Sequence, residues 1–471
     1  MIGGGPAAVG LLGRMLARAD EFRRAPRVVV YEPDNLGHGV AFGADLESAL
    51  INLPAGRMSM DPGDPDQFAR WLDAAGDAYV PRQVFGEYLV DEFWRAVGQA
   101  RALGWTVDVV PETVAALGKG SANELLVRTP AGVRSFGQVV LGVGSGTTAD
   151  PYRLSGASGY VVDPYPLAAT LPGIAPRSHV LVIGTGLTAI DVVLGLLHLG
   201  HDGRITLASR TGILPGPRPQ IMPLDPKHLT IDAVRRFESL GLGDVWELLK
   251  LELASAGFDA DTEISWLLSS ASATERLRYQ LDRLDAAPIQ SIFENLETPV
   301  PPMIRAALSA DEMLKVAFDY KPYLKSIQCP MPPVSARKLL AVMDSGQLVV
   351  APGITALRHR NGRFEAVARE SVPAAEVVID ATRLSPRRTK GRARGLLDSL
   401  SAERLASWNS FDGLIVDPRT GRVVAAAPYR LFAYGEITAG ELYYASSLPA
   451  VVRGANVVAA ELVRHDNEVG S

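Results

Sequence analysis

Two short glycine-rich turns carry the chemistry this chain is equipped for. Gly3, Gly5 and Ala8 fit G-x-G-x-x-G/A, and so do Gly184, Gly186 and Ala189. In such a turn the first glycine permits a tight bend and the second lets a pyrophosphate approach the backbone. The third, small residue lets helix and strand pack closely. The helix that follows offers unpaired N–H groups and a positive dipole end to phosphate. The residue closing the next strand then reads the ribose. Glu32 follows Gly5 by 27 residues, somewhat more than the usual ~20. Its carboxylate can accept both ribose hydroxyls and repels a 2′-phosphate, which suits FAD or NAD. Arg210, with Ser209 before it, stands in the same place in the second unit, 24 residues after Gly186. A guanidinium there binds a 2′-phosphate, which suits NADPH; the competing reading is a solvated surface arginine. An acidic ribose position followed by a basic one implies a division of labour, FAD on the first unit and NADPH on the second.

The elements that must position these turns are legible around them. Val9, Leu11, Leu12, Met15 and Leu16 form an apolar stripe at helical spacing, and Val28, Val29 and Val30 form a short buried strand. Val180 to Ile183 make the strand before the second turn, and Ile190, Val193, Leu194 and Leu197 the apolar face of its helix. The first turn has no room for a full strand before Gly3. The expectation is that the native protein begins upstream of Met1, and that a chain starting at Met1 binds FAD weakly and is poorly stable. A hairpin turning at Pro130 and Gly132 feeds a strand that ends in Gly142, Gly144 and Gly146. A second hairpin, within "GRFEAVARESVPAAEVVIDATRLSP", ends at Asp380, Ala381 and Thr382. Residues 221–330 have helical periodicity, with Trp246, Leu248, Leu249 and Leu253 as core. Leu431 to Tyr434 read as a strand ending at Gly435 and Glu436, with a helix from Pro449.

Composition bounds the function. The chain has 471 residues, 47% hydrophobic and 21% charged, with net charge −5, a packed globular balance. The acidic balance argues against nucleic acid or anionic membrane as main partner. The sequence has one cysteine, Cys329, and no CxxC, which excludes thioredoxin-reductase-type dithiol chemistry. No apolar run approaches the ~18 residues of a membrane span and no signal peptide opens the chain, so a cytoplasmic protein is the default. No metal-ligand cluster or catalytic triad stands out, and no FxGxxxHxxxWP motif of Baeyer–Villiger enzymes occurs.

The stretches "IGGGPAAVGLL", "YEPDNLGHGVAFGADLESALINLPAGRMSMDPGDPDQFARWL", "VPRQVFGEYL", "VLVIGTGLTAIDVVL" and "LYYASSLPAVVRGANVVAAEL" together resemble the FAD/NAD(P)-binding protein family, among the two-dinucleotide-binding-domain flavoproteins. The resemblance covers most of the chain and is strongest over 2–92 and 180–218. Relatives include flavin-dependent monooxygenases of natural-product biosynthesis that oxidise the amino nitrogen of an amino acid. It implies an α/β fold of two Rossmann-like dinucleotide-binding domains with a mostly helical insertion. The expected FAD-binding domain spans 1–165 and 383–471, the NADPH-binding domain 166–220 and 331–382, and the insertion 221–330. For FAD the resemblance implies Gly3, Gly5, Pro6, Ala7 and Glu32 at the ADP half. Asn52, Arg57, Met58 and Ser59 would lie near the flavin, Gly144 beside the cofactor, and Gly435 and Glu436 near ribitol and pyrophosphate. Relatives carry aspartate where Glu436 stands. Gly184, Thr185, Gly186, Leu187, Thr188, Ser209 and Arg210 would hold NADPH. Within the site, His38, Asn52, Tyr443 and Ser446 are candidates for catalysis, with a structural role the competing reading for His38.

The activity implied is N-hydroxylation of an amino acid or amine, with O₂ as co-substrate and a C4a-hydroperoxyflavin as oxidant. An FAD-dependent dehydrogenase, an NADPH-dependent reductase without oxygen insertion, and a non-catalytic flavin-binding protein stay open. The segment 319–340 departs from what relatives lead one to expect, so substrate specificity is expected there and in the insertion.

Overall fold

The computed structural model describes residues 1–144, 150–297, 299–382, 392–440, 445 and 447–469. In chain order the elements that matter are α1 (Pro6–Leu16), β1 (Arg27–Tyr31), α2 (Arg82–Ala102) and β2 (Thr106–Val110). Next come β3 (Ala116–Lys119), β4 (Leu125–Thr129), β5 (Gly132–Phe136) and β6 (Val139–Leu141). Then follow β7 (Tyr160–Val161), β8 (Val180–Ile183), α3 (Leu187–His198) and β9 (Ile205–Ser209). After a run of helices ending in α4 (Lys321–Gln328), the chain adds α5 (Pro333–Asp344), β10 (Leu348–Pro352), β11 (Ala356–Arg360), β12 (Arg363–Val367) and β13 (Val377–Asp380). It closes with β14 (Leu431–Ala433) and α6 (Leu448–Val469). Two compact units result: residues 1–151, 165–168 and 383–471, and residues 152–164 and 169–382.

The first unit is built on a parallel sheet in which β2 pairs with β1 and β14 with β6. The strand expected to be missing is represented by the first three residues. Ile2 bridges Tyr31 on one side and Leu141 on the other, both parallel. Its N–H donates to Val140 O at 2.9 Å, Gly3 N–H to Tyr31 O at 3.0 Å, and Gly142 N–H to Ile2 O at 2.8 Å. The Met1 amine donates to Val29 O at 2.6 Å, and burial lowers its pKa to about 5. The sheet is buried on both faces, as a parallel sheet must be. Val30, Val140 and Phe432 face a core shared with α1, α2 and α6. Val29, Tyr31, Val139, Leu141, Leu431 and Ala433 face a second core completed by β3, β4 and Leu396, Leu397 and Leu400. The expected stripe on α1 is there, with Val9, Leu11, Leu12 and Met15 buried. β4 and β5 form the first expected hairpin, Thr129 pairing with Gly132.

The second unit holds a five-stranded, all-parallel sheet in the order β10-β9-β8-β13-β7. β8 is buried at every residue, as the central strand of an α/β sheet should be. The second hairpin differs in detail from expectation. Its turn is Asn361-Gly362, both at positive φ, joining β11 to β12 at the very start of the segment read as the hairpin. That dipeptide is the favoured type I′ turn. Phe364 then exchanges two backbone hydrogen bonds with Ala375. Residues 231–328 fold as a succession of helices around Leu248, Leu249, Leu253, Leu267, Ile289 and Ile292, with Trp246 packed against them.

Candidate functional site

In a parallel α/β sheet, ligands bind outside the carboxyl ends of the strands. In the first unit those ends bring together Gly3, Glu32, Gly142 to Gly144, and the Tyr434-Gly435 pair. Gly3 has φ +96°, and a Cβ there would overlap the Gly142 carbonyl oxygen. Gly5 is the N-cap of α1, no side chain caps that helix, and Pro6 has no N–H to spend. The first turn is therefore open to an anion.

The sequence reading passed over Gly4, which is equally constrained. A Cβ on it would lie 2.5 Å from Glu32 Cβ. Its N–H donates to Glu32 Oε2 at 2.9 Å, while Oε1 accepts from Asn35 N–H at 3.1 Å and Asp34 N–H at 3.3 Å. Glu32 thus fixes the glycine turn to its own loop. Gly37 and Gly39 were also passed over. Gly37 N–H donates to Gly4 O at 2.7 Å, and a Cβ at Gly39 would lie 3.0 Å from Pro6 Cδ. The run of three glycines, and glycines on both sides of His38, were the signal.

The other expected residues divide by where their side chains go. His38 is half-buried, its Nδ1 is 2.7 Å from Gly39 O, and a Cβ at Gly86 on α2 would meet its Cβ. The ring is engaged in holding its loop. Met58 is buried in the first core and Ser59 Oγ donates to Asp61 O at 2.9 Å, so both anchor their segment. Ala55–Arg57 form a short 3-10 turn; Arg57 is exposed and Asn52 half-buried. Gly144 has φ +65° with open space around it. Gly435 has φ +79° and precedes the 3-10 turn that Glu436 starts. The buried Tyr434 just before them donates its hydroxyl to Ala7 O, so this late motif sits at the head of α1. Burial also pushes the Tyr434 phenol far above its ordinary pKa. Gly146, Tyr443 and Ser446 lie outside the described residues.

The second unit repeats the plan. Gly184 has φ +121°, and a Cβ would lie 2.7 Å from Ala381 O. Gly186 is the uncapped N-cap of α3, with Leu187 and Thr188 half-buried in its first turn. Thr185 Oγ1 donates to Ser209 Oγ at 3.1 Å, and Gly212 N–H donates to the same oxygen at 2.9 Å. Ser209 thus ties the glycine turn to the loop after β9, and Arg210 follows it, exposed. Asp380 is fully buried at the end of β13, accepting from Thr382 N–H at 3.0 Å, Thr382 Oγ1 at 2.6 Å and Tyr160 at 3.3 Å. The Tyr152 phenol is raised by burial and by the Asp380 charge, and Arg210 opposes that rise.

Among the described residues no group of three His, Cys, Asp or Glu could hold a metal ion, and no helix is long and apolar enough to cross a membrane. Comparison with known proteins gives a family match over the first glycine turn and a likeness of fold over the whole chain. Residues 1–146 match the FAD-NAD(P)-binding family. A search of curated protein sequences gives no match. The fold is similar to that of ornithine N-hydroxylase from Kutzneria sp. 744, solved with reduced FAD, NADP+ and L-ornithine (14% identity, 100% of this chain and 98% of that one, TM-score 0.54). It is similar also to the FAD-bound cadaverine monooxygenase of desferrioxamine biosynthesis from Erwinia amylovora (14%, 98% and 93%, 0.57). Bacillithiol disulfide reductase from Staphylococcus aureus is a further neighbour (10%, 98% and 97%, 0.51). The first third of the chain, residues 1–146, therefore carries the match to the FAD-NAD(P)-binding family, and the chain as a whole shares the fold of the ornithine and cadaverine enzymes.

Proposed function

We propose that the chain is an FAD- and NADPH-dependent oxidoreductase that hydroxylates the nitrogen of an amino acid or other amine, using O₂. The observation that carries the two-cofactor reading is the pair of uncapped helix N-termini, each following a glycine turn at the carboxyl end of a parallel sheet, with a carboxylate at one ribose position and a guanidinium at the other.

The residues fit the two groups. Gly3 and Gly184 leave no room for a side chain against the neighbouring strand, which is what the tight bend requires, and Gly5 and Gly186 carry no Cβ to hold a pyrophosphate away from the backbone. Gly3, Gly5, Pro6 and Ala7 would cradle the FAD pyrophosphate and Glu32 would take the ribose hydroxyls. Gly144, Gly435 and Glu436 would flank it, and the 52–59 segment would serve the flavin half. Gly184 to Thr188 would hold the NADPH pyrophosphate, with Ser209 and Arg210 on the 2′-phosphate. Bound FAD supplies the electron transfer and oxygen chemistry, so few acid–base side chains are needed.

The nitrogen-oxidising reading rests on the resemblance of the fold to the ornithine and cadaverine enzymes. A reductase that does not insert oxygen is the second reading, favoured by the neighbouring disulfide reductase. The deciding experiment follows NADPH oxidation under air with and without amine substrates, and assays hydroxylamine product. Substrate-stimulated oxidation with labelled oxygen in the product supports the first reading. Oxidation without oxygen incorporation selects the second. A protein that binds FAD but never oxidises NADPH defeats both.

A further inference from the structure

The helical run of the second unit returns to the dinucleotide turn at one point. A Cβ built on Gly186 would lie 3.5 Å from Lys325 Nζ. An exposed lysine on α4 therefore holds its ammonium over the N-cap of α3. As it stands, the arrangement is electrostatically unfavourable. A helix N-terminus carries about half a positive charge, and a cation beside it is repelled. Among the described residues no carboxylate pairs with Lys325. Two positive features facing each other call for an anion between them.

The placement is built, not incidental. Gly216 N–H donates to Ser326 O at 2.8 Å, Met331 N–H to Gly216 O at 2.8 Å, and Arg218 N–H to Met331 O at 2.8 Å. These bonds fasten α4 and the segment after it to the chain leaving β9. A Cβ at Gly216 would lie 3.1 Å from both Ser326 O and Gln280 Nε2, so the approach admits only glycine without a shift. Ser326 and Ile327 turn inward and are buried, leaving Lys325 outward. The turn before α4, Val316–Tyr320, is a π turn. Pro322 has no N–H and crowds the carbonyl four residues back, and a π turn relieves such crowding. Each extra residue also rotates the following side chains by about 100°, which sets the direction in which Lys325 points.

We propose that Lys325 clamps the pyrophosphate of the nicotinamide dinucleotide against the Gly184–Gly186 turn. This inference rests on the NADPH reading of the second unit. It divides recognition in two: Arg210 selects the 2′-phosphate, while Lys325 binds the charge common to NADP+ and NAD+.

The test uses the FAD-loaded full chain and equilibrium titration with NADP+ and with NAD+ at two salt concentrations, with flavin content read from the visible spectrum. Lys325→Met is expected to weaken both dinucleotides by the same factor, about tenfold, the size of one partly screened charge-assisted hydrogen bond. The NADP+/NAD+ preference and flavin content should not change, and the salt dependence should become shallower. Lys325→Arg should recover most of the affinity, and Arg210→Gln should weaken NADP+ alone. Wild-type affinities in Lys325→Met overturn the proposal, and so does a loss confined to NADP+, which would make Lys325 a 2′-phosphate ligand. If Arg210→Gln loses NADP+ while Lys325→Met does not, the NADPH reading stands and only the clamp falls. If the wild-type chain binds neither dinucleotide, both fall.

Discussion

Glu32 fastens its own loop and, on the proposed reading, would also hold the ribose with the same carboxylate. Its oxygens accept three backbone N–H groups: Oε1 takes those of Asp34 and Asn35, and Oε2 takes that of Gly4 and keeps a lone pair for a ribose hydroxyl. Glu32→Ala is therefore expected to loosen the glycine turn and remove a ligand together. Flavin affinity should fall by about 1.5–3 kcal/mol, read as lost flavin absorbance after gel filtration. At the corresponding place in the second unit, Arg210→Ala should raise the KM for NADPH by roughly tenfold or more and leave that for NADH nearly unchanged. Steady-state kinetics with both nucleotides checks this. The placement of Glu32 and Arg210, each just after the strand that follows a glycine turn, was legible in the sequence because the fingerprint sets their spacing from a glycine. Gly4 and Lys325 were not. The first meets a side chain 28 positions away, and the second approaches a glycine turn more than a hundred residues earlier in the chain.

Between elements, the glycine turns are where strand, helix and neighbouring strand come closest. Gly3→Ala forces a side chain into the Gly142 carbonyl at a positive φ, so flavin retention and stability should fall together, stability by at least ~1–2 kcal/mol in thermal melts. Tyr434→Phe is a milder probe. It leaves the packing intact and removes the hydroxyl that reaches Ala7 O, at about 1 kcal/mol of stability. Local signals identified most elements: the α1 stripe, the valine run of β1 and the apolar β8 follow from periodicity alone. Two details did not. Asn361-Gly362 is a strong turn signal, but the strand before it, Ala-Leu-Arg-His-Arg, is too charged to read as one. The central position of Ile2 depends on partners at residues 31 and 141, which no local pattern shows.

At the scale of the molecule, two histidines, His179 half-buried and His201 buried, set a pH dependence on the second unit. Burial holds His179 and His201 below the ordinary value near 6.5. The unfolded chain then binds more protons than the folded one just below that pH. Stability is full above it and is lost as pH falls toward the folded values. Calorimetry should show the melting temperature dropping between pH 7 and pH 5, with the slope reduced in His179→Asn. The order of the units along the chain has its own consequence. All but a few residues of the second unit form one continuous stretch, 169–382, nested inside the first. The first unit still needs β14 and α6, whose Val452, Ala455 and Val458 share a core with Val9 and Leu12 of α1. During synthesis the N-terminal helix must therefore wait, unpaired with its mate, while more than four hundred residues are made. The nested unit has every strand of its sheet before then. The half of the protein made first is the half completed last, and its apolar helix face is what a chaperone would meet on the nascent chain.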